Sequence, residues 1–326
     1  MGQRSSNGPA WSELLDAHAR ALLQRCPALP SGPDFAKARA TFEAIQASGS
    51  IGSLAAAIED RVLPIGPTGS VGIRIFRPPG CDRLPLPGLL YLHGGGWVAG
   101  SAATHDRLMR ELAVGLPAAV IFVDYALAPE ACYPIQNEQA YAVLEFMAAH
   151  PRSLRLEPSC IAIAGDDAGG AVAAAVTLMA KQRRGPEIAF QLLLCPVTAE
   201  LAEDGSCSDF ADSPWLTAAA MEQCLAAVFQ DAASRREITA LPLAASPLQL
   251  NDLPPALVIT AECDLLRDQG EAYARKLQRA GVETGCTRYN GTLHNFMVLN
   301  ALATSPPARG ATAQAIAMLR TALYGS

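Results

Sequence analysis

The stretch IAIAGDDAGGAVAAAV, residues 161–176, joins two patterns through a cluster of small residues. An alternating apolar run reads as a buried strand, and an alanine-rich run from Ala171 reads as a helix. Between them lies Gly165-Asp166-Asp167-Ala168-Gly169-Gly170. Glycines two positions either side of a central residue permit the sharp strand-to-helix turn that lifts one nucleophilic side chain above a sheet. A serine usually occupies that centre, and here it is Asp167. A carboxylate suits the partial positive charge of a helix N-terminus. Asp167 therefore reads as a nucleophile, a water-directing base or an N-cap. Asp166 reads as a structural N-cap residue.

Three further stretches supply possible partners. YLHGGGWVAGS, residues 91–101, puts three glycines after an apolar strand. An unobstructed backbone there can aim N–H groups at one point where negative charge develops. Asp264 follows the apolar run of PALVITAECD, and Asp268 is a competing acid farther from the strand end. His294 stands in TLHNFM, after the last strand-like segment. The chain order nucleophile, acid, histidine is that of the α/β-hydrolases.

The elements that must hold these residues alternate. Residues 58–65 and 69–78 read as a hairpin across GPTG. Strands are expected over 88–93, 118–125, 160–164, 188–194, 255–264 and 283–290. Helices are expected over 104–114, 136–149, 168–183, 268–280 and 311–323. This rhythm predicts a mostly parallel sheet covered on both faces. Two helices, 11–25 (closed by Pro27 and Pro30) and 34–47, precede every strand. Residues 197–250 hold a helix starting near Ser213 or Thr217 but no strand. These two segments read as a cap.

The chain has 326 residues, of which 50% are hydrophobic and 17% charged, enough to bury a large core. A net charge of −6 gives no reason to expect nucleic acid or an anionic membrane as partner. Nine cysteines without a CxxC pair read as free thiols in a reducing cytoplasm, and no metal-ligand spacing appears. The N-terminus lacks the apolar core of a signal peptide, and no apolar run reaches membrane-spanning length.

HGGGW at 93–97, DYALAPE at 124–130, the turn at 165–170, DLLRDQGEAYARKL at 264–277 and the His294 region together resemble the bacterial hormone-sensitive lipase family of α/β-hydrolases. The resemblance runs from about residue 58 to the C-terminus. It implies an α/β-hydrolase fold, with N-terminal cap helices in 1–50 and a catalytic domain over 51–326 carrying the insertion at about 197–250. It also implies hydrolysis of small acyl esters without a cofactor, and a homodimer through the last strand and helix. The oxyanion donors would be the amides of Gly94, Gly95 and Ala168, with His294 as base oriented by Asp264. Two residues depart from the family: Asp167 replaces its serine, and Asn295 replaces the glycine after its histidine.

A carboxylate attacking an acyl carbon would give a high-energy mixed anhydride. Attack on an sp3 carbon gives an alkyl ester, which a water activated by His294 could then hydrolyse. Epoxide hydrolases and haloalkane dehalogenases of this fold work in that way. The first use cap tyrosines, and no tyrosine falls in 1–50 or 197–250. The second place a tryptophan after the nucleophile, where Ala168 stands here, although Trp97 is a substitute. If Asp167 and His294 are close, the Asp167 pKa falls and the His294 pKa rises. Expected pocket residues are Trp97, Trp215, Leu216 and Asn295, with Trp11, Leu15, Phe210 and Met221 also available from the cap. They suit a small, mostly apolar substrate, ester-like or epoxide-like. The other readings are a lyase or isomerase using Asp167 and His294 for proton transfer, a binding protein, and a serine carboxylesterase inactivated by the substitution.

Overall fold

The order of strands in the sheet decides which loops meet. The computed structural model describes residues 10–25, 34–49, 52, 54–81, 83–213 and 215–325. The strands are β1 (Ala57–Leu63), β2 (Val71–Arg77), β3 (Leu86–Leu92), β4 (Ala119–Asp124), β5 (Leu156–Asp166), β6 (Gln191–Leu194), β7 (Ala256–Cys263) and β8 (Thr284–Leu293). They form one sheet in the order β1-β2-β4-β3-β5-β6-β7-β8. The β1–β2 and β2–β4 pairs are antiparallel, and the remaining pairs are parallel. The expected hairpin forms, with the Gly69 amide donating to the Gly66 carbonyl at 3.1 Å. The parallel strands β3 and β6 are buried along their whole length, as uninterrupted apolar runs require.

The helices are α1 (Ala17–Arg25), α2 (Phe35–Ser48), α3 (Ala102–Gly115), α4 (Ile135–Ala149), α5 (Asp167–Arg183), α6 (Gly205–Asp209), α7 (Ala218–Val228), α8 (Pro247–Leu250), α9 (Arg267–Arg279) and α10 (Pro306–Tyr324). Helix α5 is buried on every face from Asp167 to Ala180. Its alanines leave no bulk, so the helix lies close against the central strands. The expected helix over 11–25 is broken. A short 3-10 turn, Ala10–Glu13, precedes α1. The Asp16 carboxylate takes the Ala19 amide at 2.7 Å and so starts α1 afresh. Pro27 and Pro30 lie outside the described residues. Thr217 rather than Ser213 starts α7, accepting from the Ala220 amide at 3.0 Å.

Segment 197–250 contains no strand among the described residues and contributes α6, α7 and α8. Helix α2 is fastened to the sheet domain by Arg39. Its guanidinium donates to the Val98 and Ala128 carbonyls at 2.7 and 2.9 Å and forks onto Glu130. Gln46, farther along α2, donates to the Val298 carbonyl at 3.0 Å. No described helix is long and apolar enough to cross a membrane. The eight described cysteines form no disulfide, and Cys26 lies outside the described residues.

Candidate active site

Four loops at the C-terminal ends of β3, β5, β7 and β8 converge, where parallel α/β sheets place their sites. Strand β5 ends at Asp166, and α5 begins at Asp167 with a left-handed φ of 51°. Such a conformation is uncommon for a side chain larger than glycine and is held here by the buried turn. The turn closes when the Val197 amide donates to the Asp167 carbonyl at 3.0 Å.

The Asp167 carboxylate divides its two oxygens. Oδ2 accepts from the amides of Gly95 and Gly96, both at 2.8 Å. Oδ1 is buried, faces Nε2 of His294 at 3.5 Å and has no closer donor. The separation is that of an ion pair, longer than a good hydrogen bond. On the far side of the ring, Nδ1 of His294 lies 2.8 Å from Asp264 Oδ2. Asp264 Oδ1 accepts from the Leu266 amide at 3.0 Å, which fixes the carboxylate. Asp268 instead accepts from the Ser206 amide and pairs with Arg267, so it serves the α6–α9 contact.

The amide pair differs by one residue from the expected donors. Gly94 donates to Asp166 Oδ1 at 3.0 Å, so its N–H does not reach Asp167. Glycine is needed there for close approach, since a Cβ would lie 2.2 Å from Asp166 Oδ2. Gly95 (φ 113°) and Gly96 (φ 61°) then turn through left-handed backbone, which presents both N–H groups to one oxygen. Sequence reasoning missed Gly96, although the third glycine of HGGG was the available signal. Ala168 is buried directly after Asp167, in the first turn of α5, where amides have no intrahelical acceptor.

Asp166 occupies the N-cap position of α5 but makes no side-chain cap bond. Its carboxylate instead anchors the glycine loop. It accepts from the Tyr91 hydroxyl at 2.8 Å and lies 3.2 Å from Nε2 of His105.

Burial by itself lowers the pKa of His294. Asp264 and Asp167 outweigh that effect, and the imidazole is raised to about 10. Burial raises the Asp167 carboxyl, but His294 and the two glycine amides reverse this and hold it below the usual carboxylate range. The resting pair is a carboxylate beside an imidazolium. Cys195 lies buried behind Asp264 and His294, with ligand-type atoms of the three within 4.8 Å of one another. Asp264 and His294 direct theirs at each other.

A cavity of about 80 Å³ opens onto Asp167, His294 and Asn295. Its walls are apolar, with Phe35 and Phe42 from α2 facing Leu216, Met221 and Cys224 from the other cap segment. Two expected pocket residues lie elsewhere. Trp97 packs its ring edge-on against Phe229 at 5.5 Å, and Trp215 is buried in the core. Large apolar rings gain most from full burial, so both support the cap from behind. Leu15 and Phe210 are likewise buried outside the cavity, and the Trp11 side chain lies outside the described residues. Asn295 has a left-handed φ of 64°, and its Oδ1 is buried without a partner. Among the described lining residues there is no tyrosine, tryptophan, lysine or arginine.

A family model for the α/β-hydrolase fold matches residues 89–298. Esterase LipI of Mycobacterium tuberculosis is 38% identical over 264 residues, covering 80% of this chain and 81% of its own. Carboxylesterase NlhH of the same species is 36% identical over 269 residues, covering 82% and 83%. The crystal structure of a thermostable esterase from Pseudomonas putida superposes with a TM-score of 0.92 at 38% identity, over 97% of this chain and 99% of that one. An esterase from the archaeon Pyrobaculum calidifontis gives 0.86 at 34% identity, over 94% and 98%. The chain belongs to the α/β-hydrolase fold family and is a hydrolase of the esterase type.

Proposed function

We propose that this enzyme hydrolyses a small, mostly apolar substrate by way of an ester formed on Asp167 at an sp3 carbon. One observation carries the reading: Asp167 Oδ2 itself occupies the paired amides of Gly95 and Gly96. An ester substrate would need those donors for its own carbonyl oxygen. With the carboxylate in place, acyl transfer loses its stabilised oxyanion, and attack on an acyl carbon would end in a mixed anhydride. The same arrangement suits an alkyl ester of Asp167, whose carbonyl oxygen is Oδ2 and already sits on both donors.

The reaction then has two halves. Oδ1 bonds to the sp3 carbon as the carbon–leaving-group bond breaks. The new ester carries no charge, so His294 loses one of the two carboxylates that keep it protonated and releases its proton, which neutralises the departing group. As a neutral base it takes a proton from water, whose oxygen attacks Cγ of Asp167. The oxyanion forms on Oδ2 between Gly95 and Gly96. It collapses by expelling the alcohol oxygen, which takes the proton back from His294, and the regenerated Asp167 carboxyl group then gives its own proton to the imidazole, restoring the resting pair. Asp264 holds Nδ1 and so aims Nε2 at this chemistry. We propose the Ala168 amide, in the first turn of α5, as a further donor to that oxyanion, while Leu216 and Asn295 shape the pocket.

The same occupancy favours a second reading. A carboxylate that fills the donors also silences the esterase activity named for the relatives, leaving an inactivated esterase. Assays with 1,2-epoxybutane and p-nitrophenyl acetate separate the two. The proposal expects diol from the epoxide and no p-nitrophenol above background. Rapid ester hydrolysis would refute both readings, and inertness toward both substrates would favour the second.

A further inference from the structure

We propose that Asn295 is a specificity-determining residue of the cavity, and that the substrate carries a hydroxyl group two or three bonds from the carbon that Asp167 attacks. The attacked carbon rests on the Asp167 ester reading, and the hydroxyl rests on the cavity alone. Two buried side-chain oxygens among the described lining residues have no hydrogen-bond partner, Asp167 Oδ1 and Asn295 Oδ1. The first is the attacking atom. The second takes no part in the reaction derived above, and leaving a buried acceptor unpaired costs stability.

The backbone at this position does not call for the amide. Asn295 has a left-handed φ of 64°, which glycine adopts freely and a side chain adopts at a cost. Its carbonyl accepts from the Val298 and Leu299 amides at 2.9 and 3.0 Å, bonds that any residue could make. They fix the turn and with it the place of the side chain, on the cavity wall next to His294 and only 7% exposed. The other polar side chains on that wall are engaged or weak. Asp167 and His294 face each other at 3.5 Å, and Gln223 has a partner of its own. Cys224 offers a thiol, a weak donor and a weak acceptor.

A hydroxyl is the group this arrangement selects. It can donate to Asn295 Oδ1, and it takes no more room than a methyl group. Asp167, His294 and Asn295 open onto one cavity of about 80 Å³, so a substituent that close to the attacked carbon reaches the amide. An ammonium donor would stand beside the His294 imidazolium and be repelled. An apolar group there would bury the acceptor without a partner and lose affinity. The preference does not depend on the leaving group, since an epoxide and a halide that carry the hydroxyl gain the same bond. Water is the rival partner. A void of about 10 Å³ behind Asn295, lined in part by Asp166 and Cys195, is at the lower limit for one molecule. Water held there would pair Oδ1 in the absence of substrate, and Asn295 would then give no preference.

Two matched pairs of probes test the assignment, glycidol against 1,2-epoxybutane and 2-bromoethanol against 1-bromopropane. Each pair exchanges a hydroxyl for a methyl group. Rapid-quench mass spectrometry follows addition to the Asp167 peptide, and the quantity read is the ratio of second-order rates within a pair. In Asn295→Gly the hydroxyl-to-methyl ratio is expected to fall at least ~10-fold below that of the wild type, the scale of one buried hydrogen bond. Both members of a pair meet the same enzyme, so partial misfolding lowers both rates and leaves the ratio. A ratio unchanged by the substitution, in whichever pair reacts, overturns the proposal. Hydroxyacetone and butanone, which carry no leaving group, repeat the comparison as ligands bound in NMR titrations. The relative affinity for hydroxyacetone should fall by the same margin in Asn295→Gly, and an unchanged relative affinity overturns the proposal. Should no probe add mass to the wild-type peptide, the ester reading falls, and the ligand pair still decides the role of Asn295.

Discussion

At the residue scale, the Asp167 carboxylate sets charge and donors together. Asp167 takes the amides of Gly95 and Gly96 and pairs with the His294 imidazole. Asp167→Ser releases both. His294 would keep Asp264 alone, so its pKa falls from about 10 toward its ordinary range. Hydrolysis of p-nitrophenyl acetate is expected to rise at least ~100-fold over the wild type, well inside what a complete triad contributes. No gain would mean that Asn295 or the cap has also diverged. The same pairing predicts a pH dependence of stability. His294 is held above its ordinary 6.5, so its stabilising contribution is complete below that value and fades as pH rises through about 10. Asp167 is held low, so its contribution is present above the ordinary carboxylate range and is lost on acidification. Urea midpoints should fall more between pH 7 and about 10 in the wild type than in Asp167→Ser. Equal slopes would deny the coupling. In the sequence, the types and order of Asp167, Asp264 and His294 were enough to single them out. The register of the glycines was not. Whether Gly94 or Gly96 points inward depends on where Asp166 sits, a contact across 72 residues that no local pattern encodes.

At the element scale, the strands and helices of the sheet domain follow from apolar runs and turn residues. The start of α1 followed instead from the single cap at Asp16. Residues 34–47 and 197–250 were legible as helices without strands, but their packing was not. The tryptophans expected in the pocket proved to be its backing, because burial of a ring is decided by shape that a sequence does not display. The cavity walls from Phe35 and Phe42 depend on α2 staying docked, and Arg39 is its fastening. Hydrogen bonds from a charged group contribute about 1.5–3 kcal/mol each, while the exposed pairing with Glu130 adds little. Arg39→Ala should therefore speed amide exchange in Phe35–Ser48 by roughly tenfold or more with β3 unaffected. Unchanged exchange would show that Gln46 and the apolar contacts suffice. Helix α5 gives the opposite test. Ala174 is fully buried, and Ala174→Leu should cost about 1–3 kcal/mol of stability through overpacking, read from urea unfolding.

At the scale of the whole molecule, the parallel sheet brings residues 95, 96, 167, 264 and 294 to one edge and the cap closes over them. The alternation of strands and helices made the fold class readable from sequence. The strand order was not, since pairing β4 between β2 and β3 is a matter of long-range contacts. The result is a hydrolase scaffold in which Asp264, His294 and the Gly95 and Gly96 amides gather around Asp167, the attacking group of the proposed reaction. The central claim is that this group becomes covalently esterified. Single-turnover hydrolysis of 1,2-epoxybutane in H2(18)O, with enzyme in excess, tests it most directly. Water attacking Cγ of Asp167 puts the label into the Asp167 peptide in the first turnover and leaves the first diol unlabelled. Diol that carries the label from the first turnover, with an unlabelled Asp167 peptide, would contradict the account.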